Sequence, residues 1–231
     1  MNLDIQHNLE QIRKKIEKKA GDCGRDPSSI RLVAVSKKKP AERIREAAKA
    51  GATSFGENYI KEAVEKIEAL AALNLSWHFI GHLQSNKAGH AVKHFDLIHT
   101  VDSMKLASEL NRQAEKIGKV QNVLIQVNIS REATKSGISQ EDVTDLVKDI
   151  SLLPHIAVKG LMTMPPYVED PEEARPYFRK LRLISEEIGK KGIPDISMAE
   201  LSMGMTHDFE TAIEEGATLV RIGTAIFGER P

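Results

Sequence analysis

The sequence predicts an α/β protein, a single (β/α)8 barrel of the TIM type with an additional N-terminal helix. Eight short segments rich in β-branched residues alternate with amphipathic helical segments, as in parallel sheets, and eight strands close a TIM barrel. The repeat of about 25 residues per unit suits a compact barrel. No linker interrupts the chain, so we expect one domain over residues 1–231. An open, doubly wound sheet is the alternative.

The predicted elements follow one another as the barrel requires. The first is a helix, because apolar residues recur at near-helical spacing from Leu3 to Ile16 and Gly21 ends the pattern. Strands are predicted at Ile30–Ser36, Thr53–Glu57, Ser76–Gly81, Leu97–Val101, Val123–Ile129, Ala157–Met162, Glu200–Met203 and Thr218–Ile222. Helices are predicted at Pro40–Ala50, Tyr59–Leu73, Met104–Ile117, Glu141–Leu152, Glu172–Lys190 and Phe209–Glu215.

Capping and turn residues support these boundaries. Ser139 precedes one helix, and Asp170 precedes another that opens with proline and acidic residues. Several helices end at glycine. The segment Met164–Pro171 contains three prolines and is expected to be a loop over one end of the barrel. Too few residues follow the last strand for an eighth outer helix, so we expect the N-terminal helix to fill that gap.

The composition argues against several classes of function. The 33 basic residues balance 33 acidic ones, so charge gives no reason to expect nucleic acid or an anionic membrane as a partner. No apolar stretch of this chain approaches the roughly 18 residues of a membrane span. The N-terminus does not resemble a signal peptide, and the single cysteine, Cys23, cannot form an internal disulfide. We therefore expect a cytoplasmic protein.

The end of the first strand carries a candidate nucleophile. Alternation along the strand places Val33, Val35 and Lys37 on one face, so Lys37 is expected to point where the core points. Desolvation and nearby cations, here Lys38 and Lys39, lower the pKa of a lysine and free its amine to attack a carbonyl. A solvated run of charges that ends the strand is the alternative interpretation.

The last strand predicts a site for an anion. Leu219, Arg221 and Gly223 share its inner face, and a charged arginine inside a barrel needs an acceptor. Gly223 lets the backbone approach a ligand, and the N–H groups from Thr224 onward can receive phosphate oxygens. In TIM barrels phosphate commonly binds in the loops after strands seven and eight. A structural arginine–carboxylate pair is the alternative.

Further polar residues could bind a ligand or have an ordinary structural role. Ser202, on the inner face of the seventh strand, either donates to a phosphate oxygen or is a tolerated polar residue. Asn58, after the second strand, either reaches a ligand or caps the next helix. His90 and His94 have the i,i+4 spacing of metal ligands, but Lys93 opposes a cation and no acidic residue lies between them. We therefore expect no metal site.

Together these residues indicate one cofactor. Pyridoxal 5'-phosphate (PLP) needs a lysine that forms a Schiff base, a phosphate site and a partner for its ring nitrogen. Several segments together resemble the pyridoxal phosphate homeostasis protein family, in order over nearly the whole chain. They are VAVSK at 33–37, FGENY at 55–59, WHFIGHLQSNK at 77–87, KSGI at 135–138, GLM at 160–162, LSMGM at 201–205 and VRIGTAIFG at 220–228. His82 is a departure, since the family often has proline there.

The resemblance implies a fold similar to the N-terminal barrel of alanine racemase and a role for each candidate residue. It assigns the Schiff base to Lys37 and the ring nitrogen to Arg221, and it places Asn58 near the cofactor. It assigns the phosphate to Ser202, Gly223 and Thr224. The family is understood to bind, buffer or deliver PLP, with effects on amino-acid and keto-acid balance, and no established catalytic activity comes with the resemblance.

Two classes of function follow. The first is a PLP carrier, expected to be a monomer, that delivers the cofactor to apo-enzymes. The second is a small PLP-dependent enzyme, such as a weak amino-acid racemase or transaminase. The racemase-type site needs a second domain that supplies a catalytic tyrosine, and this sequence ends at the barrel, which favours the carrier. An arginine beside the ring nitrogen also keeps that nitrogen unprotonated and weakens the electron sink.

Overall fold

The predicted barrel is present. A computed structural model describes residues 4–132 and 136–229, and in it eight parallel strands form a closed sheet in sequence order. The strands are β1 Arg31–Val35, β2 Ser54–Glu57, β3 Ser76–Phe79, β4 Leu97–Val101, β5 Gln121–Gln126, β6 Ile156–Met162, β7 Glu200–Met205 and β8 Leu219–Ile222. β1 pairs with both β2 and β8, which closes the barrel and excludes the open sheet.

The helices also lie close to their predicted positions. They are α1 Ile5–Asp22, α2 Ala41–Lys49, α3 Ile60–Ala69, α4 Ala88–His94, α5 Met104–Lys116, α6 Val143–Ser151, α7 Arg175–Lys190, α8 Phe209–Glu214 and α9 Thr224–Phe227. A short 3-10 turn over Pro171–Ala174 precedes α7. No bounds were predicted for α4, and the four-residue helix α9 was not predicted. β5 begins two residues before its predicted start because Gln121 joins the ladder with β6.

The N-terminal helix fills the gap in the outer ring, as predicted. α1 packs against α2, α8 and α9, and its buried stripe consists of Ile5, Leu9, Ile12, Ile16 and Ala20. The side chain of Asn8 donates to the carbonyl of Ile226 over 3.0 Å, which ties α1 to α9. Burial of each large aliphatic side chain contributes roughly 1.5–3 kcal/mol, so this stripe anchors the helix.

The strands bury different side chains on their two faces. The outer faces pack on the helices in one large apolar cluster that contains Ala34, Phe55, Val220 and Ile222. The barrel interior has a small apolar cluster of Val33, Leu97, Leu124, Met162 and Leu219. Beside it lie polar side chains, His78, His99, Ser202 and Arg221, all nearly inaccessible to solvent. Among the described helices, none has the length and apolarity needed to cross a membrane.

Candidate functional site at the barrel mouth

Lys37 lies in the turn that follows β1 and is half-buried. Val33 belongs to the interior cluster whereas Ala34 packs against the outer helices, so the predicted alternation of β1 is confirmed. Lys38 has a positive φ of 60° and is exposed, and Lys39 donates to the carbonyl of Glu229. Because the chain turns at Lys38, Lys37 is the lysine of the three that continues the inner face of the strand.

The buried residues Ser36, Glu57 and Lys66, with the partly exposed Glu62, hold this turn from outside the barrel wall and are named here the Lys66 cluster. Lys66 Nζ donates to the Ser36 carbonyl at 2.8 Å, to Glu57 Oε1 at 2.7 Å and to Glu62 Oε1 at 2.6 Å. The Ser36 hydroxyl donates to the same Glu57 oxygen, and the backbone N–H of Lys38 donates to Glu62. Burial raises the pKa of Glu57, and the nearby Lys66 opposes that rise. The cluster therefore fixes the backbone on both sides of Lys37.

Arg221 is a buried cation inside the barrel, 3% exposed. Its Nη1 donates to the Ser202 hydroxyl at 2.6 Å and its Nη2 donates to the Thr163 carbonyl at 2.9 Å. Burial lowers its pKa to about 10, which leaves it charged at neutral pH. A guanidinium has five N–H donors. Among the described residues its hydrogen-bond partners are these two neutral oxygens. The charge of Asp208 opposes the fall in the pKa of Arg221, but no hydrogen bond or salt bridge joins these two described side chains. The predicted alternative of an arginine–carboxylate pair is therefore wrong for these residues.

The exposed part of the site lies where β7 and β8 end. Gly223 follows β8 and packs so closely on β1 that a Cβ there would approach the Val35 carbonyl to 3.3 Å. The hydroxyls of Thr224 and Thr206 are 3.1 Å apart. Thr224 begins α9, and the first N–H groups of a helix have no acceptor within it. A phosphate site at these donors, here named the anion cradle, stays a prediction, and barrels commonly bind phosphate at this point.

The structure brings five of the six predicted site residues to this end of the barrel and places Ser202 below them. The Ser202 side chain is inaccessible to solvent and bonded to Arg221 and His99. A phosphate contact by Ser202 stays a prediction, and its contacts favour a role in holding Arg221. Sequence reasoning missed Thr206, which lies in the turn directly after β7. Thr206 lies between the end of β7 and the start of α8, and this position at the end of a barrel strand was the available signal.

Asn58 lies at the opposite side of the mouth, next to a cavity of about 260 Å³ that is also lined by His82, Gln126 and Ser136. Its Oδ1 is buried without a hydrogen-bond partner among the described residues. Gly81 makes this position possible, because a Cβ at residue 81 would lie 2.3 Å from the Asn58 carbonyl oxygen. Lys135, part of one segment of the resemblance, lies outside the described residues.

These donors fit the predicted cofactor. The buried guanidinium offers N–H groups to a neutral ring nitrogen, the cradle of Thr206, Gly223 and Thr224 offers donors to a phosphate, and Lys37 offers an amine. The orphaned Asn58 Oδ1 offers an acceptor at the same mouth. Among the described residues no group of three or more metal-ligating side chains converges.

Comparison with known proteins gives several matches. The family model for the N-terminal domain of alanine racemase matches residues 3–231. The pyridoxal phosphate homeostasis protein of Aquifex aeolicus is 46% identical over 222 residues, which are 96% of each chain. Its counterpart in Escherichia coli is 46% identical over 231 residues, covering 98% of this chain and 97% of the relative.

Solved structures are also similar. PipY of Synechococcus elongatus with PLP bound superposes with a TM-score of 0.85 at 37% identity, covering 97% of this chain and 100% of PipY. An alanine racemase of Clostridium difficile superposes with a TM-score of 0.76 at 15% identity, covering 99% of this chain and 57% of the racemase. The second match concerns the fold alone.

Proposed function

The chain belongs to the pyridoxal phosphate homeostasis protein family, and from that membership we propose that it binds PLP at the barrel mouth and buffers or delivers the cofactor. The observation that carries this proposal is the buried Arg221, a cation whose partners among the described residues are two neutral oxygens. A buried charge needs further acceptors, and a ring nitrogen above it supplies one.

Each of the cofactor's groups has a proposed partner in the chain. Lys37 would hold the aldehyde carbon, and Arg221 would donate to the ring nitrogen. Thr206, Gly223 and Thr224 would hold the phosphate, and Asn58 would lie beside the ring. When bound, PLP supplies an aldehyde that a neutral amine attacks with loss of water, and a ring that can accept electrons. The Lys66 cluster supports the first contact by fixing the backbone around Lys37.

We propose a carrier in preference to an efficient enzyme because of the group that faces the ring nitrogen. Arg221 is only a donor, so the nitrogen must accept and carries no proton. An unprotonated ring is a poor sink for the electrons of a carbanion. The mouth is also open, since Thr224 and the loop residue Tyr167 are exposed, which eases exchange of the cofactor with apo-enzymes.

One experiment separates carrier from enzyme. The PLP-loaded protein, expected to be monomeric, is mixed with an apo-enzyme that needs PLP, and recovery of that enzyme's activity is followed with time. In parallel, the loaded protein is incubated with L-alanine, and D-alanine and pyruvate are assayed. We expect transfer of PLP and no sustained turnover. Steady racemisation or transamination would favour the second function, and failure to transfer would contradict delivery. The Lys37→Ala protein, treated identically, is the control for loosely bound PLP.

A further inference from the structure

A continuous chain of hydrogen bonds crosses the barrel interior below the proposed PLP site. Ser76 Oγ is 3.3 Å from His78 Nε2, and His78 Nδ1 is 3.0 Å from His99 Nε2. His99 Nδ1 is 2.9 Å from Ser202 Oγ, which accepts from Arg221 Nη1 at 2.6 Å. His78 and His99 are 2% and 0% exposed, so solvent does not complete their hydrogen bonds. We name this series the histidine relay.

The direction of the relay follows from counting donors. Arg221 can only donate, so Ser202 Oγ must accept from it. Among the described residues, the other partner of that hydroxyl is His99 Nδ1, so the Ser202 proton has an acceptor only if His99 Nδ1 is unprotonated. His99 then carries its proton on Nε2 and donates to His78 Nδ1. His78 in turn carries its proton on Nε2 and donates toward Ser76.

Both histidines must be neutral for this arrangement, because an imidazolium donates from both nitrogens. A charged His99 would leave the Ser202 proton without an acceptor, and a charged His78 would place a second donor against the His99 N–H. Their surroundings enforce that state. Burial lowers the pKa of His78 to about 4, and repulsion from Arg31 adds to the effect. Burial also places the pKa of His99 well below its usual value, and His78 and Arg221 lower it further.

We propose that His99 is a positioning residue for the ring nitrogen of PLP: by accepting the Ser202 proton, it makes Ser202 the acceptor that holds Arg221 in place. The proposal rests on the proposed function, since it concerns how that site is built. Donation from Ser202 to His99 also polarises the hydroxyl, which strengthens the bond that Ser202 accepts from the guanidinium. The Thr163 carbonyl fixes the other arm of Arg221, so two acceptors define the plane of the guanidinium.

Two substitutions at residue 99 differ in whether the acceptor survives. In His99→Asn, the side-chain oxygen stands close to where Nδ1 was and still accepts from Ser202. In His99→Leu, no acceptor remains. Ser202→Ala removes the acceptor of Arg221 directly and leaves both histidines in place. His90→Leu, on the exposed surface of α4, controls for loss of an imidazole.

The readout is the 15N chemical shift of the ring nitrogen in bound, 15N-labelled PLP, with affinity for PLP measured beside it. We expect His99→Leu and Ser202→Ala to move the shift away from wild type and to weaken binding about tenfold, as for loss of one charge-assisted hydrogen bond. His99→Asn and His90→Leu should stay close to wild type. Thermal melting reports whether each variant folds.

An unchanged 15N shift in a folded His99→Leu protein would overturn the relay. If that variant does not fold, Ser202→Ala decides in its place: a wild-type shift there would overturn the proposal, and a displaced shift with a wild-type shift in His99→Asn would support it. Failure of the proposed function has a different signature, since wild-type protein would then give no bound 15N signal.

Discussion

The relay makes the fold sensitive to acid, and the size of the effect can be worked from His78. Burial lowers the pKa of His78 from 6.5 to about 4, while Asp96 and Glu200 oppose the change only in part. Between pH 6.5 and about 4, His78 is protonated in the unfolded chain and neutral in the folded protein, so the free energy of unfolding falls as the pH falls. This contribution is fully present above the unfolded pKa of 6.5 and is lost as the pH falls toward about 4. At about 1.4 kcal/mol per pH unit, the total loss is about 3 kcal/mol.

The perturbation is His78→Asn, which keeps an acceptor for the His99 N–H and removes the titrating ring. Urea unfolding of both proteins is compared at about pH 7 and about pH 5, and wild type should lose about 2 kcal/mol more than the variant over that interval. Titrating groups distant from residue 78 are common to both proteins and cancel in the difference, whereas His99 contacts His78 and is considered separately. The exposed His90→Asn variant, measured in the same way, is the control for loss of an imidazole.

Equal pH dependence in wild type and His78→Asn would show that the fold does not hold His78 neutral. A larger loss in the variant would show that the ring stabilises the folded protein in its charged form. His99 adds a further acid sensitivity of the same sign, since its pKa is also lowered by burial. That part should persist in His78→Asn, reduced because His78 no longer lowers the pKa of His99, and should vanish in the double variant with His99→Asn.

Three more predictions concern the mouth and its supports. Lys66→Met should destabilise the fold by about 3–5 kcal/mol in urea, because Glu57 loses its buried partner. Adding Glu57→Gln should recover most of that loss, and no recovery would contradict the ion-pair explanation. Thr206→Val should weaken PLP binding by about 1–3 kcal/mol in titrations. It should leave the affinity for pyridoxal unchanged, because pyridoxal has no phosphate. Unchanged affinity for PLP would mean that the phosphate lies elsewhere. Arg221→Glu should favour ring protonation and raise deuterium exchange at Cα of a bound amino acid, measured by NMR. No rise with intact binding would mean that ring electronics are not what limits catalysis.

The sequence predicted those parts of the site that depend on local periodicity. Arg221 lies on a regular strand and Lys37 follows the end of another, and alternation determines which residues of a strand face inward. The inner faces of β1 and β8 are confirmed by the burial of Val33 and Leu219 in the interior. The barrel itself followed from the number and spacing of the strands. The N-terminal helix was placed correctly because the chain leaves one position of the outer ring empty.

The parts that were missed depend on contacts between distant segments or on irregular backbone. Thr206 lies in a turn without periodicity, and α9 is a single turn whose residues continue the apolar run of β8. Ser202 was assigned to the right face, but its partner His99 is 103 residues away in the chain, so no pattern could show that its hydroxyl is already engaged. Lys66 received no role from the sequence, and only the fold shows that it reaches Glu57 and Ser36.

The most direct measurement of the central claim is the location of bound PLP. Purified protein is loaded with PLP, reduced with borohydride to make the link permanent, digested and examined by mass spectrometry. The structure predicts one pyridoxyl phosphate group per chain on Lys37, because this lysine continues the inner face of β1 toward Arg221. Lys37→Ala should lose the label, and Lys38→Ala should keep it. A label on Lys38 or Lys39 in wild type, or stoichiometric labelling that survives Lys37→Ala, would show that PLP is bound elsewhere than proposed.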